Sequence, residues 1–79
     1  MRYRLLYFAS LRDAAGREAE TVESDATEPR ALFVELAARH GFGIASERLR
    51  VAVNGEFARW DVHLADGDEI VFLPPVSGG

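Results

Sequence analysis

The chain contains no cysteine. That excludes disulfide staples, thiolate metal sites and a cysteine nucleophile together, and it fits a reducing compartment. Lysine is also missing: all 9 basic residues are arginines. A guanidinium stays protonated and forms neither Schiff bases nor isopeptide bonds. The α-amino group of Met1 is therefore the one amine on offer. An excess of positive charge is absent too. The formal net charge of −4 argues against phosphate-backbone binding as the main task, and no nucleic-acid partner is expected. Long apolar runs are lacking. The stretch from Leu5 to Ser10 is shorter than the apolar region of a signal peptide and far shorter than a membrane span of about 20 residues. The expectation is a soluble, cytoplasmic chain with no membrane partner.

What is present is a core. The 79 residues are 48% hydrophobic, enough for one small domain over residues 1–79 that buries about 60% of its unfolded surface. Arg2 to Ala9 reads as a strand, with Tyr3, Leu5 and Tyr7 on one face and Leu6 and Phe8 on the other. Apolar residues on both faces predict a central position. Ser10 to Arg17 reads as a turn or short helical loop, and Glu18 to Glu23 as a charged edge strand hairpinned to the first. The period then changes. Leu32, Phe33, Leu36, Ala37 and His40 form one stripe of a helix from Glu28 to His40. Thr27 is expected at its N-cap, Pro29 in its first turn, and Gly41 or Gly43 as a left-handed C-cap.

Leu49 to Val53 alternates, with Leu49, Val51 and Val53 inward and Arg50 and Ala52 outward. Asn54-Gly55 then predicts a type I′ hairpin returning through Glu56 to Ala58. Ala65-Asp66-Gly67-Asp68 predicts a second tight turn before a last strand, Glu69 to Leu73, whose unbroken apolar run fits the middle of a sheet. Pro74 closes it. The order is β-β-α-β-β-β. A two-layer α+β domain follows, with first and last strands side by side in parallel and the helix across one face: a β-grasp, or ubiquitin-like, roll with a mixed sheet.

Self-contained catalysis finds little support. His40 closes the helix stripe and reads as a half-buried structural residue near the helix C-terminus. His63 lies near Asp61, Asp66 and Asp68, but Asp66-Gly67-Asp68 lacks the rest of a calcium loop. It reads as a turn whose side chains bond their own backbone, with no metal site expected. Ser10, Ser46 and Ser77 have no nucleophile-elbow context. Gly41-Phe42-Gly43 lacks the spacing and lysine of a phosphate loop. Arg30, Arg39, Arg48 and Arg50 read as a solvated mixed surface. Acting alone, the chain does not read as an enzyme.

The unusual feature is the ending, Pro74-Pro75-Val76-Ser77-Gly78-Gly79. Paired prolines favour an extended backbone. Residues 74–79 can span about 20 Å. Gly78 and Gly79 carry no Cβ, so a narrow tunnel can accept them. The tip offers a carboxylate that ATP-dependent adenylation could activate toward sulfur or an amine.

At this point a resemblance emerges. Leu6 to Gly16, Ala52 to Phe57 and above all Leu64 to Gly79 resemble the small, sulfur-carrying subunit of molybdopterin synthase, the MoaD-type ubiquitin-like proteins, over essentially the whole length. The resemblance implies that Gly79 is adenylated by an E1-like partner enzyme that uses ATP, and that a persulfide donor converts it to a thiocarboxylate. It further implies docking on the large subunit of molybdopterin synthase as two copies of each subunit, with Val76, Ser77 and Gly78 threading into that subunit's active site. There the carrier gives sulfur to cyclic pyranopterin monophosphate. No bound cofactor is implied for the carrier itself. Interface positions carry over to Phe8, Phe57 and Leu73, and Arg12 is a further polar contact; for Phe8 and Leu73, plain core packing is the competing role. Two other readings stay open: a carrier feeding thiazole, cysteine or tRNA thiolation, and a β-grasp binding module whose tail is never modified.

Overall fold

The computed structural model describes residues 1–74. A five-stranded mixed sheet has the order β2-β1-β5-β3-β4, with β1 at Arg2–Leu6, β2 at Ala19–Glu23, β3 at Arg50–Val53, β4 at Glu56–Ala58 and β5 at Glu69–Leu73. β1 runs antiparallel to β2 and parallel to β5, and β3 runs antiparallel to both β4 and β5. The first and last strands therefore share the middle of the sheet, as the β-grasp expectation requires. Helix α2, Pro29–His40, packs on one face.

Register explains that packing. Leu5 lies opposite Ile70, and Val51 opposite Phe72, so alternate residues of neighbouring strands share a face. Tyr3, Leu5, Tyr7, Val51, Ile70 and Phe72 are all at most 1% exposed. Onto them α2 lowers Leu32, Phe33 and Leu36, one stripe at helical spacing. Burying each such side chain contributes about 1.5–3 kcal/mol. Phe33 is the hub of an aromatic cluster, 5.1 Å from Phe72 and 5.9 Å from Trp60 between ring centroids.

The turns obey their residues. Asn54 and Gly55 take φ of 53° and 86°, as a type I′ hairpin demands. Gly41 caps α2 at φ 71°, its N–H donating to Ala37 O. At the second turn Asp68 Oδ2 accepts from the Ala65 N–H at 2.8 Å and Asp66 Oδ1 from the Arg2 N–H at 2.6 Å, so these carboxylates bond backbone.

Three sequence expectations need correction. The N-cap of α2 is Glu28, not Thr27, and its side chain makes no capping bond. Thr27 instead gives its carbonyl to the Leu64 N–H at 2.8 Å, while the Trp60 carbonyl takes up the Arg30 N–H at 3.1 Å; a loop satisfies the helix end that a side chain usually serves. Strand β1 stops at Leu6 rather than Ala9, because Ala9 has φ 51°, outside any strand geometry. The stretch read as a turn or helical loop is a regular helix, α1, at Ala9–Ala15, ended by Gly16 at φ 74° and anchored by buried Leu11. A short 3₁₀ turn at Ser46–Arg48 precedes β3 and carried no sequence signal.

Candidate functional site

Among the described residues, no helix lies across the opposite face of the sheet. Its residues follow from the same registers. Ala19 lies opposite Leu6, Leu6 opposite Val71, Val71 opposite Ala52, and Ala52 opposite Phe57. One cross-strand row, Ala19-Leu6-Val71-Ala52-Phe57, therefore runs apolar through all five strands. Residue pairs opposite one another have Cβ atoms about 4.5–5.5 Å apart, so the row is continuous. Phe57 ends it at 62% exposed.

Leu73 lies two residues beyond Val71, opposite Arg50, and is half-buried. Phe8, two residues beyond Leu6, is 47% exposed. Because β1 and β5 are parallel, both residues lie at the same end of the sheet, where the chain leaves toward Pro74. The other end of the face is charged: Arg2 pairs with Glu23 at 3.1 Å and Arg4 with Glu69 at 3.7 Å. The face is thus apolar at its tail end and ionic at its far end. Phe8 and Phe57 are the large exposed apolar residues that border it.

Phe8 owes its exposure to Ala9. The left-handed residue turns the chain out of the ladder and into α1, with Phe8 as that helix's N-cap residue. Phe8 is therefore not a core side chain, which removes the competing role left open by the sequence. Arg12 lies on α1, with Glu18 at 3.9 Å, and with Leu6, Phe8 and Ala19 it lines a shallow depression of about 380 Å³. Phe8, Phe57, Leu73 and Arg12 are thus all on or bordering one face. The expected tail residues Val76, Ser77, Gly78 and Gly79 lie outside the described residues.

Two features of this face were missed in the sequence. Ala52 was read only as outward-pointing; it is 8% exposed, because Val71 and Phe57 flank it. Arg50 was read as a solvated surface residue; its guanidinium carbon sits 4.1 Å from the centroid of the Phe57 ring, a cation–π contact. The Asn54-Gly55 turn does place Ala52 opposite Phe57, but the approach of Arg50 to that ring is a matter of its rotamer.

Behind the face is a polar cluster. The Tyr7 hydroxyl donates to Glu20 Oε2, and His40 Nε2 lies 2.6 Å from the same oxygen. Burial alone would raise the Glu20 carboxyl, but the Tyr7 and His40 hydrogen bonds and the charges of His40 and Arg17 outweigh it and hold the group below its usual value. Burial first, then the bond to Glu20, pushes the Tyr7 phenol far up. His40 is thus tied into the helix–sheet seam, the structural role its stripe position suggested. His63 is exposed. Among the described residues no three His, Cys, Asp or Glu side chains converge as metal ligands, and no helix is long and apolar enough to cross a membrane.

Comparison with known proteins agrees with this geometry. The ThiS family model matches residues 5–79. A molybdopterin synthase sulfur carrier subunit of Escherichia coli (strain K12) is 37% identical over 79 residues, covering 96% of this chain and 98% of that protein. Small archaeal modifier protein 1 of Haloferax volcanii has a TM-score of 0.81 at 28% identity, with 100% of both chains covered. A chain from the complex of subunits 1 and 2 of the molybdopterin-converting factor of Helicobacter pylori 26695 has a TM-score of 0.69 at 25% identity, again over 100% of both. A parallel β1–β5 pair, one main helix and a family match over nearly the full length converge: the chain belongs to the ThiS family.

Proposed function

We propose that the chain is a sulfur carrier in molybdenum cofactor biosynthesis, the small subunit of a molybdopterin synthase, acting in the cytoplasm. The observation that carries this reading is the apolar row on the open sheet face, which lies beside the strand leading into the Pro-Pro-Val-Ser-Gly-Gly ending. An apolar face next to a Pro-Pro…Gly-Gly ending suits docking on a larger protein while the ending enters its active site. The Helicobacter pylori relative in complex with its subunit 2 supports a large-subunit partner, and the Escherichia coli relative supports the carrier role.

In this reading the Gly79 carboxylate attacks the α-phosphorus of ATP within an E1-like enzyme, and pyrophosphate leaves. A persulfide sulfur displaces AMP from the acyl adenylate, and a thiol reductant frees the product as a thiocarboxylate. The carrier then docks through Phe8, Phe57 and Leu73, with Arg12 as a polar contact. Val76, Ser77 and Gly78 thread toward the large subunit, and sulfur passes to cyclic pyranopterin monophosphate. The catalytic amines come from the partner, consistent with the lack of lysine here.

The test is the intact mass of the chain after incubation with ATP, an E1-like adenylating enzyme and a persulfide donor. A gain equal to exchange of one oxygen for sulfur, absent in a Gly79-deleted chain, is expected. No gain with an adenylating enzyme proven active on another carrier sinks the reading in favour of an unmodified binding module. Sulfur transfer in the presence of the large subunit then separates this acceptor from thiazole, cysteine or tRNA thiolation.

A further inference from the structure

We infer that Arg50 is a specificity residue of the docking face, and that it receives a carboxylate side chain from the protein that covers Phe57. This rests on the reading that the open face docks, and it adds the chemistry that face selects.

The placement is fixed by two hairpin registers. Arg50 lies opposite Leu73 across the β3–β5 pair, and Ala52 lies opposite Phe57 across the β3–β4 pair. Arg50 therefore stands on the open face between two of its apolar residues, and its guanidinium rests 4.1 Å from the centre of the Phe57 ring. Both residues are exposed. Six other arginines, Arg2, Arg4, Arg12, Arg17, Arg39 and Arg59, each have a carboxylate within 3.9 Å. Among the described residues Arg50 has none, and neither do Arg30 on α2 and Arg48 in the 3₁₀ turn, but of these three only Arg50 is on a strand of the sheet.

The contact sets the guanidinium over the ring, and no hydrogen bond or ion pair among the described residues uses its N–H groups. They form a rigid fork that matches a carboxylate in two parallel hydrogen bonds. Arg50 is exposed, so in the free chain the fork is open to solvent. A partner that buries Phe57 must also strip water from the guanidinium lying on it, and an unpaired buried charge is strongly unfavourable. A partner with only apolar atoms at this point is penalised. One that presents Lys or Arg there meets a like charge. One that presents Asp or Glu completes the pair, with the ring holding the fork in place. The aromatic contact thus converts an apolar landing point into one that selects for charge. At the opposite border of the face Arg12 already has Glu18, so Arg50 is the side of the patch where a foreign carboxylate is called for.

The experiment measures binding of the full chain to the large molybdopterin synthase subunit from the same source by calorimetry, at several NaCl concentrations. The chains compared are wild type, Arg50→Gln, Arg50→Lys and Phe57→Ala. Loss of a charge-assisted, bidentate pair predicts that Arg50→Gln weakens binding about tenfold to a hundredfold and flattens its salt dependence. Arg50→Lys keeps the charge but not the fork, so it should recover the salt dependence and only part of the affinity. Circular dichroism and Tm of Arg50→Gln should match wild type, since an exposed cation–π contact contributes little to folding. If Phe57→Ala weakens binding while Arg50→Gln leaves affinity and salt slope unchanged, the Arg50 inference is overturned and the docking face stands. If Phe57→Ala also binds like wild type, or wild type does not bind, the docking reading itself fails and takes this one with it.

Discussion

Replacing Tyr7 with phenylalanine deletes one hydroxyl from the seam between sheet and helix. Tyr7 is 1% exposed, and its hydroxyl donates to Glu20 Oε2. The Glu20 side chain is 9% exposed, so water cannot easily replace the lost donor. His40 alone would then serve that oxygen at 2.6 Å, with Arg17 more distant at 3.8 Å from the other oxygen. A hydrogen bond to a charged group contributes about 1.5–3 kcal/mol, and with His40 still on the same oxygen the loss is about 2 kcal/mol. At about 4–8 °C per kcal/mol for a domain of this size, Tm should fall by about 8–16 °C.

The pH dependence gives that prediction its signature. The Glu20 carboxyl is held below its ordinary value of 4.5. A depressed carboxyl contributes stability that is present above the unfolded value and lost as pH falls through the folded one. Tyr7 helps to depress it, so the gap between wild type and Tyr7→Phe should be full near neutrality and shrink below about pH 4.5. At the alkaline end the sign reverses. The phenol is raised from 10.0, so its contribution is complete below that value and is lost as pH rises toward the folded one. Phenylalanine has no such limb, and the gap should narrow again above about pH 10. Thermal melts followed by circular dichroism across this range provide the assay. A fall in Tm of less than about 3 °C at neutral pH, or a gap that stays constant into acid, would refute the claim that this hydroxyl holds a buried carboxylate.

Other outcomes follow from the same packing. Leu36 is 0% exposed under the helix, so Leu36→Ala should cost about 2–5 kcal/mol in chemical denaturation, with an unchanged slope against denaturant. Ala9 sits at φ 51°. Ala9→Gly should be neutral or stabilising by up to about 1 kcal/mol, whereas Ala9→Val should lose more than about 1 kcal/mol, read from paired melts. Gly55 has φ 86° and no atom within 4 Å of a Cβ built on it. Gly55→Val should therefore lose about 1–3 kcal/mol through backbone strain alone, with the amide resonances of β3 and β4 showing the damage in an NMR spectrum.

Much of this fold could be read from residue order because its local signals agree with one another. Asn54-Gly55 specified a hairpin by its φ requirement, and the Leu32-Phe33-Leu36 stripe specified a helix by its period. The unbroken apolar run in Glu69 to Leu73 marked a strand in the middle of the sheet, which is why its place beside β1 was foreseeable. The errors came where tertiary contacts replaced local ones. Thr27 looked like a cap, but the carbonyl of Trp60, 30 positions away in sequence from its donor Arg30, satisfies the helix end. Ala9 adopts a backbone that its side chain does not encourage, so the end of β1 and the start of α1 were blurred. On the open face Phe8, Phe57 and Leu73 were singled out one by one. Their union with Leu6, Val71 and Ala52 into one row depends on three strand registers at once, and the stacking of Arg50 on Phe57 depends on a fourth choice, a rotamer, that no linear pattern encodes.

The position of β5 has a consequence for how the chain comes to be. This strand is made last, yet it is hydrogen-bonded on both sides, to β1 and to β3. Until it emerges from the ribosome, the sheet has a gap at its centre and α2 has neither Ile70 nor Phe72 to cover. Pairing of strands so far apart in sequence slows folding as a whole. A chain that stops short of β5 would hold neither a closed core nor the apolar row on the open face. Closing the core and completing that row are thus one event, because both wait for the same strand.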